Sequence, residues 1–235
     1  MCHSDKTRKM AEREKPMALV LYGRKDSINV QKVLWLLTEL GTEFDVIEKG
    51  GAFGGLEDED FKAMSPFGRV PVLRDGDFTL PESNAILRYL AQTQPGGDAF
   101  YPNDPQTRAK IDSWMDFGSM SLYPDFMKTF SMVVRTPPKE RKMNVLAMST
   151  RRVQMECLKI GQALGDKPWI MGESITLADI ATGVYMYRFW SLPVITRQRQ
   201  GRVESWTARL TERPAYQQVV ATDYRHMFPS AAAHH

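Results

Sequence analysis

Histidine and cysteine are scarce, and their placement matters more than their number. The 235-residue chain holds four histidines and two cysteines. His3 lies near the start, and His226, His234 and His235 lie near the end. No histidine falls between Met17 and Arg225, and no cysteine between Met17 and Pro102, since the two are Cys2 and Cys157. This argues against a Ser-His-Asp triad, a Cys-His dyad or a His-ligated zinc. No CxxC is present to form a redox pair or a metal knuckle. Any chemistry must therefore take its reactive group from a ligand.

Strong charge of one sign is also missing. Lys and Arg total 31 against 28 Asp and Glu. Residues 1–16 hold five basic and three acidic side chains, leaving the rest of the chain at only +1. A near-neutral body gives no electrostatic case for nucleic acid. No apolar run approaches the roughly 20 residues of a membrane span. The basic, polar start lacks the hydrophobic stretch of a secretory signal. Two cysteines make no disulfide framework, so a cytoplasmic location is expected. Residues 1–16 read as a disordered extension and Met17 as the functional beginning. Residues 229–235 read as a tail, natural or appended.

What is present is an orderly run of elements. Leu19-Val20-Leu21-Tyr22, ended by Gly23, reads as a buried strand. Val30, Val33, Leu34, Leu37 and Leu40 fall at helical spacing, and Gly41 closes that helix. Phe44 to Ile47 reads as a second strand. Strand, helix and strand within about 30 residues form a βαβ unit with parallel strands. Gly50 to Gly55 lacks the Lys-Ser/Thr of a phosphate loop and reads as a flexible loop. Asp75-Gly76 between Val70–Leu73 and Phe78–Leu80 signals a hairpin. Ala85, Ile86, Tyr89 and Leu90 mark a further helix.

Residues 96–104 have linker chemistry, with Gly96, Gly97 and Pro102. Asp104-Pro105 is an N-cap followed by Pro at the first helical position. Helices are expected over 105–133, 139–165, 177–190, 202–212 and 215–222, with Pro137-Pro138 between the first two. Thr176 to Asp179 forms a capping box, with Ile175 and Ile180 as a hydrophobic staple. The expected fold is thus α/β plus all-α. A βαβ-ββα domain over 17–95 precedes an all-helical domain over 105–228.

Three segments carry a family resemblance from Met17 to about Phe228. Pro66 to Pro71, Leu80 to Ile86 and Thr176 to Asp179 resemble, in order and spacing, the motifs of the glutathione S-transferases. The resemblance implies a thioredoxin-like first domain, a helical bundle and a homodimer. It also implies a cis bond before Pro71, turning the Val70 backbone toward the cysteinyl unit of glutathione. Glu82 and Ser83 would then meet the γ-glutamyl ammonium and carboxylate at a helix N-terminus. Plain capping is the other reading of that pair. Arg69, and less directly Lys49, resemble the basic residue that takes the glycyl carboxylate.

In that family the activating residue lies just after the first strand, so the resemblance implies an activating group within Arg24 to Val30. Ser27 resembles the serine of theta-like enzymes, and Ser27 with Asn29 resembles the Thr-x-Asn pair of nu-type enzymes. Either would hydrogen-bond the glutathione sulfur, and Ser27 also suits a helix cap. Arg108, Tyr123 and Trp190 are candidates for the second-substrate pocket. Cys157 reads as core packing. The implied function is a glutathione transferase that stabilises the thiolate and conjugates it to a hydrophobic electrophile. Glutathione is the co-substrate, with no metal and no nucleotide. The alternatives are glutathione-dependent disulfide reductase or peroxidase chemistry, or a non-catalytic binding module of the same fold.

Overall fold

A computed structural model describes residues 19–229. The expected extension over 1–16, Met17, and the tail beyond residue 229 lie outside the described residues. Strand β1 (Leu19–Tyr22) is apolar throughout and takes an interior place in the sheet, buried at all four residues. Strand β2 (Phe44–Ile47) lies at an edge, and its burial alternates accordingly. With β3 (Val72–Asp75) and β4 (Phe78–Pro81) the order is β2-β1-β3-β4. β1 runs parallel to β2, with Leu19 opposite Phe44, and antiparallel to β3, with Leu21 opposite Leu73. The Asp75-Gly76 turn closes the expected β3–β4 hairpin, with Asp75 opposite Phe78.

Helix α1 (Ile28–Leu40) crosses between the two parallel strands. Gly41 ends it at φ 63°, donating its N–H to the carbonyls of Leu37 and Thr38. Gly23, at the end of β1, permits a closer approach. A Cβ there would lie 2.5 Å from Val30 Cγ2 and 3.2 Å from Val70 Cβ. Helix α2 (Glu59–Met64) has no counterpart in the sequence reading. It has six residues and buries only Phe61, too little for a periodic signal. The Gly50 to Gly55 segment, expected as a flexible loop, holds a short 3₁₀ turn closed by Gly50 N–H to Gly54 O, 2.7 Å. Helix α3 (Ser83–Thr93) completes the first domain.

The rest is helical, as expected, but more finely divided. Asp104 caps α4 (Pro105–Phe117) by accepting from the Thr107 N–H. A π-helical turn, Gly118–Leu122, joins α4 to α5 (Tyr123–Phe130), and a second, Ser131–Arg135, follows. A Cβ on Gly118 would lie 2.9 Å from the Ala181 carbonyl, so glycine lets the two segments pack closely. Helix α6 (Met143–Leu164) follows the Pro137-Pro138 break. The single helix expected over 177–190 is two, α7 (Leu177–Gly183) and α8 (Met186–Ser191). Helices α9 (Gly201–Glu212) and α10 (Pro214–Val219) end the bundle.

The two parts share one apolar core, which includes Leu21 and Leu37 from the first and Phe126, Tyr185 and Trp206 from the second. Part of the otherwise largely exposed 96–104 segment is packed into it. Phe100 and Tyr101 are buried, and the Phe100 carbonyl accepts from the Leu177 N–H at 3.0 Å. Arg213 grips Glu39 with two hydrogen bonds of 2.7 and 2.6 Å, tying the start of α10 to α1. Among the described residues no helix is long and apolar enough to cross a membrane.

Candidate active site

A cleft of about 550 Å³ opens where the loops of the first domain face the helical one. Ser27, Asn29, Arg69, Val70, Pro71, Glu82 and Ser83 line its first-domain side. Tyr123, Tyr185 and Ser119 line the other. Seven of the eight expected catalytic and glutathione-binding residues therefore meet in one place, although 56 positions separate Ser27 from Ser83.

Each arrives there for a local reason. Ser27 precedes α1 in extended conformation, yet its side chain makes no capping hydrogen bond. Its hydroxyl is thus not committed to the helix. The loop before it is braced from two sides. Arg24 Nε lies 2.8 Å from Asp26 Oδ1. Buried Arg188, reaching over from α8, donates to the Asp26 carbonyl at 2.8 Å and to Gln31 Oε1 at 3.2 Å. Burial lowers the Arg188 pKa to about 10, which leaves it charged at neutral pH. The Val70-Pro71 bond is cis, as the resemblance implied.

Glu82 has φ 73°, a left-handed backbone that a non-glycine residue rarely adopts. It ends the β4 connection and starts α3 without a side-chain capping bond. Ser83 beside it is buried. Asn84, the next residue, donates to the Met115 carbonyl and to Ser119 Oγ, both at 3.0 Å. The start of α3 is thereby fixed against α4 and the turn that follows it, with Glu82 and Ser83 in the cleft lining.

Three expected site residues lie elsewhere. Lys49 is held by Asp58, Nζ to Oδ2 2.6 Å, outside the cleft lining. Arg108 bonds the Pro102 carbonyl and Asn103 Oδ1 and stacks over Tyr101, so it holds the interdomain segment. Trp190 packs on Phe189 with its indole N–H buried and unpartnered among the described residues. Helical periodicity shows that such residues sit on a helix, not which neighbour they meet. Cys157 is buried as expected, and burial pushes its thiol up to about 12, which makes it inert.

The sequence reading missed Tyr185 and Lys32. Tyr185 is fully buried, lines the cleft, and its hydroxyl has no partner among the described residues. Burial raises its pKa, so the phenol stays protonated and can donate. Lys32, one turn beyond Asn29, is 1% exposed. A signal for it existed: a lysine between Val30 and Val33 interrupts the apolar stretch of α1. Burial lowers its pKa to about 7, against the pull of Glu82.

The comparisons with known proteins identify the family. The family model described as "Glutathione S-transferase, N-terminal domain" matches residues 17–92. Glutathione S-transferase GstB of Escherichia coli is 36% identical over 204 residues, 86% of this chain and 97% of that protein. The chain belongs to the glutathione S-transferase family. A solved structure of a theta class glutathione S-transferase from Xanthomonas axonopodis pv. citri, with glutathione bound, is 38% identical. It aligns with a TM-score of 0.83 over 88% of this glutathione S-transferase and 99% of the other chain. Glutathione S-transferase 3 of Zea mays is 29% identical over 86% of this chain.

Proposed function

We propose that this glutathione S-transferase binds reduced glutathione in the cleft, activates its thiol and conjugates it to a hydrophobic electrophile. One observation carries the reading: the uncommitted groups of Ser27, Glu82 and Ser83 share a cleft with the cis Val70-Pro71 turn. Glu82 accepts from the γ-glutamyl ammonium, while Ser83 and the α3 N–H groups take its carboxylate. Val70 pairs with the cysteinyl backbone, and Arg69 takes the glycyl carboxylate. A free thiol, with a pKa near 8.5, is only a few per cent ionised at pH 7. A hydrogen bond from Ser27 or Asn29, at the positive end of α1, favours the thiolate. The sulfur lone pair then forms the S–C bond and the leaving group departs with its electron pair.

Tyr123 and Tyr185 wall the side where the electrophile enters. The enzyme works as a cytoplasmic homodimer and needs neither metal nor nucleotide. Titration calorimetry with glutathione, followed by turnover on an aryl halide, an organic peroxide and a mixed glutathione disulfide, tests the reading. Binding below millimolar with turnover of the aryl halide supports it. Turnover of the peroxide or disulfide alone moves the activity to the reductase or peroxidase class. Binding without turnover leaves a ligand-binding module, and no binding at millimolar glutathione removes the reading. Ser27→Ala should lower kcat by about tenfold with little change in glutathione affinity. Unchanged kcat in both Ser27→Ala and Asn29→Ala would mean another group activates the thiol.

A further inference from the structure

Lys32 is an anomaly in the fold. Lysine is almost never fully buried unless paired, because removing an ammonium from water is costly. Here the side chain is 1% exposed, and among the described residues no carboxylate lies within 4.0 Å of its nitrogen. What it has is the face of the Tyr185 ring, with Nζ 5.2 Å from the centroid, and the longer-range charge of Glu82. Both Tyr185 and Glu82 line the cleft. So does Asn29, three residues before Lys32 and on the same side of α1. The amine thus sits beneath the part of the cleft that Ser27 and Asn29 serve.

Its compensation is incomplete. A ring face and a distant carboxylate are worth less than a contact ion pair. Glu82 is moreover the acceptor for the glutathione ammonium in the function proposed above, on which this inference rests. When that ammonium arrives, the claim on Glu82 is shared, and a buried cation beside it needs another anion. Glutathione supplies one, the sulfur. The other charged groups nearby do not serve. Arg188, bonded to the neighbouring Gln31, is a cation, and it turns to the Asp26 carbonyl.

We propose that Lys32 is the countercharge of the bound thiolate, a positioning residue that acts through the Tyr185 face and Glu82 without touching the ligand. Binding then couples two ionisations. The S–H bond breaks with its electron pair left on sulfur, and the Lys32 amine gains the proton that the thiol loses. Sulfur and the unprotonated fraction of the lysine become charged together, and fewer protons are released to solvent than thiolates are formed. Burial lowers the amine's pKa to about 7 in the empty site, so at neutral pH it is only partly protonated and can take up a proton when an anion arrives beside it.

Two measurements test this. The first is the pKa of bound glutathione, read from the ultraviolet absorption of its thiolate. Lys32→Met should raise that pKa by about one unit or more, and Lys32→Arg should hold it close to wild type. A merely structural lysine would change affinity or stability without moving the thiol pKa. The second uses the wild-type protein and so does not depend on a variant folding. Calorimetry in two buffers of different ionisation heat counts the protons released as glutathione binds. That count should fall well below the thiolate formed. The proposal is overturned if Lys32→Met binds glutathione with an unshifted thiol pKa. It is equally overturned if wild type releases one proton per thiolate, or binds glutathione without forming thiolate. Absence of any glutathione binding to wild type would instead remove the underlying function.

Discussion

Two helix starts in this molecule use the same kinds of residue for opposite ends. At α7, Thr176 and Asp179 spend every group on the fold. The Asp179 carboxylate accepts from the Ile170 N–H and Trp206 Nε1 at one oxygen, both at 3.0 Å. At the other it accepts from the Thr176 N–H at 3.0 Å and hydroxyl at 3.3 Å. At α3, Glu82 and Ser83 make no side-chain capping bond, and Glu82 holds a left-handed backbone. An acid and a hydroxyl at a helix start therefore say little by themselves. A closed set of partners marks a structural cap, whereas polar groups left open toward a cleft mark a place for a ligand.

The sharpest way to break that contrast is at α7. Asp179→Ala leaves four donors without their acceptor in a buried site, and should cost about 4 kcal/mol of stability by urea denaturation. A loss below about 1 kcal/mol would mean the network is dispensable. The pH dependence of the same group comes next. Burial raises its pKa from 3.8 to about 6, although its four hydrogen-bond donors pull the other way. The folded state then holds a proton that the unfolded chain has already lost. Asp179's contribution is accordingly fullest below pH 4 and declines as pH rises through about 6, by roughly 3 kcal/mol for two pKa units. An NMR titration of its carboxyl carbon should give a midpoint near 6. A midpoint below 3.8 would show that the donors outweigh burial, and the slope would reverse.

At α3 the expected effects are on the ligand. Glu82→Ala removes the proposed acceptor for the glutathione ammonium but no hydrogen bond of its side chain to the start of α3. It should weaken glutathione binding about tenfold or more by calorimetry, with stability changed by less than about 0.5 kcal/mol. If stability fell while affinity held, Glu82 would be a cap like Asp179, and the contrast would fail.

The sequence displayed this contrast only in part. The α7 cap was readable because Thr176 and Asp179 are three residues apart and act within one turn. The parallel β1–β2 pair and the β3–β4 hairpin followed from short local signals, the βαβ crossover and the Asp-Gly turn, whereas the antiparallel β1–β3 pairing that joins them into one sheet had none. The α3 pair took its meaning from its company, Val70-Pro71 and Ser27, which only the fold brings together. What escaped had no local signature. Helix α2 is one turn and a half. The division of α7 from α8 falls where the Tyr216 hydroxyl, from a distant helix, inserts between them, donating to the Gly183 carbonyl at 3.0 Å and accepting from the Tyr187 N–H at 3.2 Å. Arg108 and Trp190 were assigned to a pocket on residue type, and tertiary neighbours decided otherwise. Lys32 was visible as a charge on an apolar helix face, but its use depends on Tyr185, 153 positions away.

The smallest expected effect isolates what Glu82 costs the fold. Its φ of 73° suits glycine, whereas glutamate holds it at the expense of about 1 kcal/mol. Glu82→Gly should recover part of that strain, offset by the greater backbone freedom that glycine gives the unfolded chain. A net gain of about 0.5 kcal/mol is expected, with glutathione binding lost as in Glu82→Ala. The two variants together separate conformation from chemistry. Both remove the carboxylate, but only glycine removes the strain, so they should match in affinity and differ in stability. Equal stabilities would place no cost on the backbone at Glu82. A glycine variant that kept affinity would mean the left-handed turn itself, through the N–H groups at the start of α3, holds the ligand, and the carboxylate does not.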